Sequence, residues 1–320
     1  MSPTQTHGNA PYEIRRILVA VDGSPQSARA VEYVCHMSVA SARIRVVSVA
    51  ESPRTLLPLG SMTDAQLQLA RTELARDAAN AVARARIVFA DAGIDIESDV
   101  IEISRQGGYT ANALIDAATE WHADLLVMGA RQHRGMLRWI EGTVSEFVTT
   151  QAPCSILVVP AGYEADIGPS PQRILFALDG SMASLEALHF GLRLARPDAR
   201  LRAIYVVDRA VRLTDFVPIH VLQEAFIEEG HAALAAAASA FAELSNHAET
   251  ALVKTEPVSD DVPHTIVRDA ERWHADLLVV GTHGRRGVAR WFLGSVAART
   301  ARLARTPLLL APSRGQSSVK

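Results

Sequence analysis

The chain has 320 residues, 48% hydrophobic and 21% charged, with a formal net charge of -3 when His is neutral. This length and apolar fraction allow two domains with cores of their own, and the near balance of charge excludes an overall field that gathers nucleic acid. Cys35 and Cys154 make no CxxC or other metal spacing, so a reducing compartment is expected. No run reaches the roughly 18 apolar residues needed to span a bilayer, and the polar stretch from Ser2 to Glu13 lacks the apolar segment of a secretory signal. A cytoplasmic protein with neither a membrane nor a nucleic-acid partner is the expectation.

The first element is an apolar run, Ile17-Leu-Val-Ala-Val21, followed by Asp22-Gly23-Ser24. Unbroken rather than alternating hydrophobicity predicts a strand covered on both faces, as in a parallel sheet. Ser24 is placed to cap a helix with apolar positions Ala28, Val31, Val34 and Cys35. A second strand is predicted over Ile44 to Val49, a long Ala-rich helix over Thr63 to Phe89, and a third strand over Asp95 to Ile103. A short helix, a fourth strand at Asp124 to Met128, a glycine segment, a further helix and a last strand at Ser155 to Val159 complete a domain over 15–160.

Ala161 to Pro171, rich in Gly and Pro, reads as a short linker. The same order then returns over 172–312: Ile174-Leu-Phe-Ala-Leu178 before Asp179-Gly180-Ser181, a helix marked by Leu185, Leu188, Leu192 and Leu194, and a strand at Leu201 to Val207. A long helix over Leu222 to Leu244 follows, then strands at Ala248 to Val258, Asp276 to Val280 and Leu308 to Ala311. Strands alternating with helices, joined by right-handed crossovers, predict an α/β fold with a doubly wound, five-stranded parallel sheet in each half. Ligands in such sheets sit beyond the carboxyl ends of the strands, where crossovers leave toward opposite faces. The last strands, Ile156-Leu-Val-Val159 and Leu308-Leu-Leu310, would be apolar sheet edges able to satisfy each other. An internal pseudo-dimer is therefore expected, with room for a further homodimer through the long helices.

One segment occurs twice, as Trp121-His-Ala-Asp-Leu-Leu-Val-Met-Gly129 and Trp273-His-Ala-Asp-Leu-Leu-Val-Val-Gly281, and its continuations differ. The second copy runs Gly281-x2-Gly284-x9-Gly294-Ser295; the first runs Gly129-x2-Gln132-x9-Gly142-Thr143. Strand-end glycines can bring bare backbone N–H groups against an anion, and the following helix, through Val296, Ala297, Thr300 and Leu303, offers the donors of its N-terminus. A phosphate chain between Gly284 and Gly294-Ser295 is one reading. Ordinary strand-end glycines with a serine cap are the other. Arg285, Arg286 and Arg290 can assist a polyphosphate or be solvated charges.

In the first half, Gln132 puts a side chain where phosphates need bare backbone, and Glu141 adds negative charge where the second half has Leu293. With Arg131, His133, Arg134 and Arg138 nearby, that segment reads as a degenerate site or as one altered for a smaller anion. His283 is the titratable candidate beside the proposed phosphates, but no Walker Gly-Lys-Ser/Thr and no carboxylate at fixed spacing accompany it, so at best a very slow ATPase is expected. Trp121, Trp139, Trp273 and Trp291 read as packing anchors rather than base-stacking platforms, and His122 and His274 as helix ends.

Taken together, the Asp after strand one, the His-Ala-Asp-Leu-Leu-Val approach to strand four, the Gly-x2-Gly-x9-Gly-Ser/Thr spacing and the closing Pro with its short strand resemble the universal stress protein family, one domain per half. The resemblance implies an adenine nucleotide α-hydrolase-like fold with strand order 3-2-1-4-5, ATP binding in some members only, and pairing through the last strands. On this chain it implies Gly281, Gly284, Gly294 and Ser295, with Val296, around the phosphates. It implies Asp179 at the nucleoside and backbone near Val206 or Val207 at the adenine. Asp179 also has a structural reading, as acceptor for its own Gly180-Ser181 turn. The implied function is an ATP-binding stress-response or regulatory protein; the alternative is a nucleotide-free interaction scaffold. Mg2+ on the nucleotide, with Asp179 a water-mediated contact, is a separate reading of the residues and not part of the resemblance.

Overall fold

The computed structural model describes residues 14–37, 41–53, 63–103, 109–130, 148–149, 151–160, 162–163, 171–209, 219–256, 260–283 and 293–312. The first half contains β1 (Arg16–Ala20), α1 (Pro25–His36), β2 (Arg43–Ala50), α2 (Asp64–Asp91), β3 (Ile96–Glu102), α3 (Thr110–Glu120), β4 (Leu125–Ala130) and β5 (Ser155–Pro160). The second contains β6 (Arg173–Leu178), α4 (Met182–Leu192), β7 (Arg200–Val207), α5 (Ile219–Ala242), β8 (Ala248–Lys254), α6 (Val262–Arg272), β9 (Leu277–Gly281), α7 (Ser295–Leu303) and β10 (Leu308–Ala311).

Helix starts follow local chemistry. Ser24 and Ser181 accept the N–H of Ser27 and Ser184, and Thr63 and Gln66 close a reciprocal capping box at α2. Two expectations need correction. The buried face of α1 is Ala30, Val31, Tyr33 and Val34, with Ala28 exposed, because Tyr33 is drawn inward by a partner in the other half. Strand β8 stops at Lys254 because Glu256 turns its N–H onto the Asp260 carboxylate (2.7 Å).

All strands join one ten-stranded sheet in the order β3-β2-β1-β4-β5-β10-β9-β6-β7-β8. Pairing within each half is parallel; β5 and β10 meet antiparallel, with Leu308 opposite Val158, Leu309 opposite Leu157 and Leu310 opposite Ile156. The two apolar edges are thus consumed by each other, and the tandem is an internal pseudo-dimer. Alternate strand residues serve two cores. Ile17, Val19, Phe176 and Tyr205 pack under α1, α2, α4 and α5, while Leu18, Leu126, Leu175 and Leu278 pack under α3, α6 and α7.

The repeated Trp-His-Ala-Asp segment is a clamp at the amino edge of each sheet. Helices α3 and α6 end at Trp121 and Trp273, and the next residues, His122 and His274, adopt φ of 53° and 54°. This left-handed step, which costs a non-glycine residue about 1–2 kcal/mol, closes the helix: Ala123 N–H donates to Ala118 (2.9 Å) and Ala275 N–H to Ala270 (2.8 Å). The Asp then pins strand one to strand four. Asp124 accepts the N–H groups of Arg15 and Arg16 (2.9 and 3.1 Å), and Asp276 those of Gln172 and Arg173 (2.7 and 2.9 Å). The Trp carbonyls accept from the guanidinium groups of Arg16 and Arg173, and Arg173 also lies over the Trp273 ring at 4.7 Å. Tyr33 adds a strut between halves, donating to the Asp276 backbone carbonyl at 3.2 Å and meeting Tyr163 edge-on.

Burial pushes the Asp276 carboxyl up to about 6, against the opposing pull of the Arg173 and Gln172 N–H groups. Folding therefore raises its pKa above the ordinary value of about 3.9. Its contribution to stability is complete below that value and is lost as pH rises through the folded pKa. Denaturant titrations from about pH 4 to 7 should show this loss in the parent, and Asp276→Asn should flatten that part of the slope; an unchanged slope would assign the dependence elsewhere. In α7, the Thr300 hydroxyl is buried without a partner, where the first half carries buried Val148. Thr300→Val should raise stability by about 1 kcal/mol, read as a higher denaturation midpoint.

Candidate functional site

Asp179 follows β6, Val206 lies near the end of β7, Gly281 ends β9 and Gly294 precedes α7, so the described members of the predicted set lie toward the carboxyl ends of the second half's strands or at a helix start. Strands β6 and β9 are parallel neighbours, with Ala177 opposite Val280, so their ends bring Asp179 beside Gly281 and Thr282. Helix α4 leaves β6 toward one face and α7 lies on the other, which makes this the crevice where open α/β sheets bind ligands.

Asp179 is fixed by its own turn: Oδ1 accepts the Ser181 N–H (3.0 Å) and hydroxyl (2.6 Å), and the Ser181 hydroxyl accepts the Ser184 N–H (3.2 Å). The first half repeats this, with Asp22 Oδ1 accepting the Ser24 N–H at 3.0 Å. The turn accounts for one carboxylate oxygen in each copy. It explains why both halves keep the Asp.

Packing likewise accounts for the strand-end glycines. A Cβ on Gly281 would lie 3.1 Å from the Ala183 carbonyl atoms and 3.2 Å from Ser184 Cα; one on Gly129 would run into the Gln26 carbonyl and lie 2.7 Å from Ser27 N. Neither has positive φ. What they permit is the close approach of the helix that follows strand one, and the backbone at the edge stays bare as a consequence.

Gly294 donates its N–H to the Thr282 carbonyl (2.7 Å), while Thr282 donates to Ala311 (3.0 Å). The two ends of the glycine loop are therefore tied together. Gly294, not Ser295, is the N-cap of α7 (φ -58°, ψ 148°), and no side chain caps it. Ser295 is the first helical residue, and both it and Val296 are exposed. The N–H groups of Ser295, Val296 and Ala297 have no acceptor within the helix. His283 places Nδ1 2.9 Å from the Thr282 hydroxyl, and its Nε2 is buried without a partner.

Val206 is half-buried on β7 opposite Val253, and the neighbouring Val207 carbonyl already accepts the Thr255 N–H (3.1 Å). Gly284, Arg285, Arg286, Arg290 and Trp291 lie outside the described residues, as do Arg131, Gln132, His133, Arg134, Arg138, Trp139, Glu141, Gly142 and Thr143. Among the described residues no group of three or more His, Cys, Asp or Glu is arranged to hold a metal ion.

Sequence reasoning missed Glu229 of α5. A Cβ on Gly180 would lie 2.8 Å from its Oε1, and its Oε2 accepts the Tyr205 hydroxyl at 3.3 Å. Comparing the copies marks its surroundings, since the first half carries Ser48, Asp77 and Ala78 where the second carries Tyr205, Glu229 and Gly230.

The strand-end contacts set an order of sensitivity. Gly129→Ala forces backbone apart and should cost about 2–3 kcal/mol, whereas Gly281→Ala needs only a small shift and should cost about 1 kcal/mol. Denaturant unfolding of the two variants measures the difference, and equal costs would contradict the packing account.

The sequence profile of the universal stress protein family matches residues 13–160 and 171–312. A universal stress protein of Mycolicibacterium smegmatis is 27% identical over 307 residues, covering 93% of this chain and 97% of that protein. The crystal structure of a universal stress protein from Archaeoglobus fulgidus has the same fold, with a TM-score of 0.62 at 18% identity over 94% of this chain and 97% of that one. A universal stress protein solved in complex with cAMP is 29% identical over 44% of this chain and 96% of its own, with a TM-score of 0.33.

Proposed function

The chain belongs to the universal stress protein family, with one such domain in each half, and from that premise we propose that it is an ATP-binding regulatory or stress-response protein of the cytoplasm. The nucleotide is held by the second domain, with Mg2+ carried on its phosphates and little or no turnover. The observation that carries this reading is the start of α7: a glycine cap tied to Thr282, the residue after Gly281, no side-chain cap, and first-turn N–H groups that the helix itself cannot pair. Such a helix end favours an anion through its N–H donors and its dipole.

In this reading Gly281, Gly284, Gly294, Ser295 and Val296 surround the phosphates. Asp179 meets the ribose with the oxygen its turn does not use, and backbone at Val206 meets the adenine. Mg2+ would neutralise phosphate charge, and Asp179 is the residue that would hold it, through water. Low turnover follows from His283, whose Nδ1 faces a hydroxyl rather than an orienting carboxylate. Gln132 and Glu141 make the first domain the degenerate copy.

The alternative, a nucleotide-free scaffold, draws on the structural tasks that Gly281 and Asp179 already perform. Calorimetric titration with ATP, AMP and cyclic AMP separates the two. ATP should bind with a stoichiometry near one, lost in Gly284→Gln. No binding to the parent favours the scaffold, and a stoichiometry near two restores the first domain as a site.

A further inference from the structure

We propose that Glu229 determines nucleotide specificity in the second domain by accepting hydrogen bonds from the ribose hydroxyls beside Asp179. The inference rests on the nucleotide reading above and adds a residue to it from the opposite side of the crevice.

Three residues are fitted to one another to deliver this carboxylate. Tyr205 on β7 is fully buried, and its ring needs the glycine opposite, since a Cβ on Gly230 would lie 2.7 Å from it. The ring carries its hydroxyl to Glu229 Oε2 at 3.3 Å. The other oxygen, Oε1, lies over Gly180, whose φ of +81° and missing Cβ admit it one residue from Asp179. Glu229 is itself half-buried, so the carboxylate stays within reach of a ligand at the rim.

The first domain serves as an internal comparison. Its long helix buries Ala78, Ala81, Val82, Ala85 and Phe89 in the spacing with which α5 buries Gly230, Ala233, Leu234, Ala237 and Phe241. By that match and by strand register, Ser48 stands for Tyr205 and Ala78 for Gly230. The strand-one turn there, at Gly23, meets the guanidinium of Arg84 instead. Asp77 occupies the position of Glu229 in the first domain but is exposed, and Arg84 is the group that meets the turn there, whereas in the second domain Glu229 itself lies over the turn.

Ionised carboxylates only accept hydrogen bonds, and the vicinal hydroxyls of a ribose offer two donors; an acidic residue reads the ribose in dinucleotide sites for the same reason. Paired acids at one end and helix N–H donors at the other also set the polarity of the ligand, keeping phosphates at Gly294.

The test compares ATP with 2′,3′-dideoxy-ATP by calorimetric titration of the full chain. Glu229→Ala should weaken ATP about ten- to hundredfold and leave the dideoxy nucleotide within about twofold. Glu229→Gln, which retains an acceptor for the Tyr205 hydroxyl, should fall between. Equal weakening of both nucleotides would reduce Glu229 to a support for the fold and overturn the proposal, as would unchanged ATP binding. A parent that binds neither nucleotide removes the site itself, a failure visible before any variant is made.

Discussion

The pairing of Ile156, Leu157 and Val158 with Leu310, Leu309 and Leu308 turns two sheet edges into the middle of a single sheet. All six side chains are essentially sealed from solvent, and burial of each contributes about 1.5–3 kcal/mol. Neither half could leave that strand bare without offering an apolar, hydrogen-bonding edge to any other chain. The seam thus fixes how the domains stand to each other, and the Tyr33 strut rests on it. Its hydroxyl reaches the Asp276 carbonyl only because the seam holds α1 against the start of the second domain's fourth strand.

The repeated Trp-His-Ala-Asp segment and the glycine segment that follows lie at opposite ends of strand four. The former builds the amino edge, where Asp124 and Asp276 each hold two N–H groups of strand one; the latter begins at the carboxyl edge, with Gly129 and Gly281. What the copies share is the joint that closes the sheet. Where they diverge is the end at which open α/β sheets receive ligands.

Much of this was legible in residue order. Continuous apolar runs at Ile17 and Ile174 located strands buried on both faces, and the apolar last strands foretold their own pairing. Less legible was why given residues are kept. Gly281 reads as a phosphate glycine, yet its missing Cβ answers to Ala183, a contact between strand four and the helix after strand one that no local pattern encodes. Ser295 reads as a cap, but the cap is Gly294, because the Thr282 carbonyl draws its N–H into an extended conformation. Glu229 escaped notice since a carboxylate in a long Ala-rich helix has no periodic mark; only Tyr205 arriving from beneath distinguishes it from a solvated charge.

The antiparallel seam has a geometric consequence of its own. Strands on its two sides run in opposite directions, so the carboxyl edges of the two domains open toward opposite poles of the molecule. The carboxyl edge of the second domain lies level with the amino edge of the first, where Asp124 gathers Arg15 and Arg16. One pole thus presents a crevice beside a closed joint, and the other presents the reverse. A partner approaching along the sheet therefore meets a different surface at each end, and the carboxyl edges of the two domains cannot both face it.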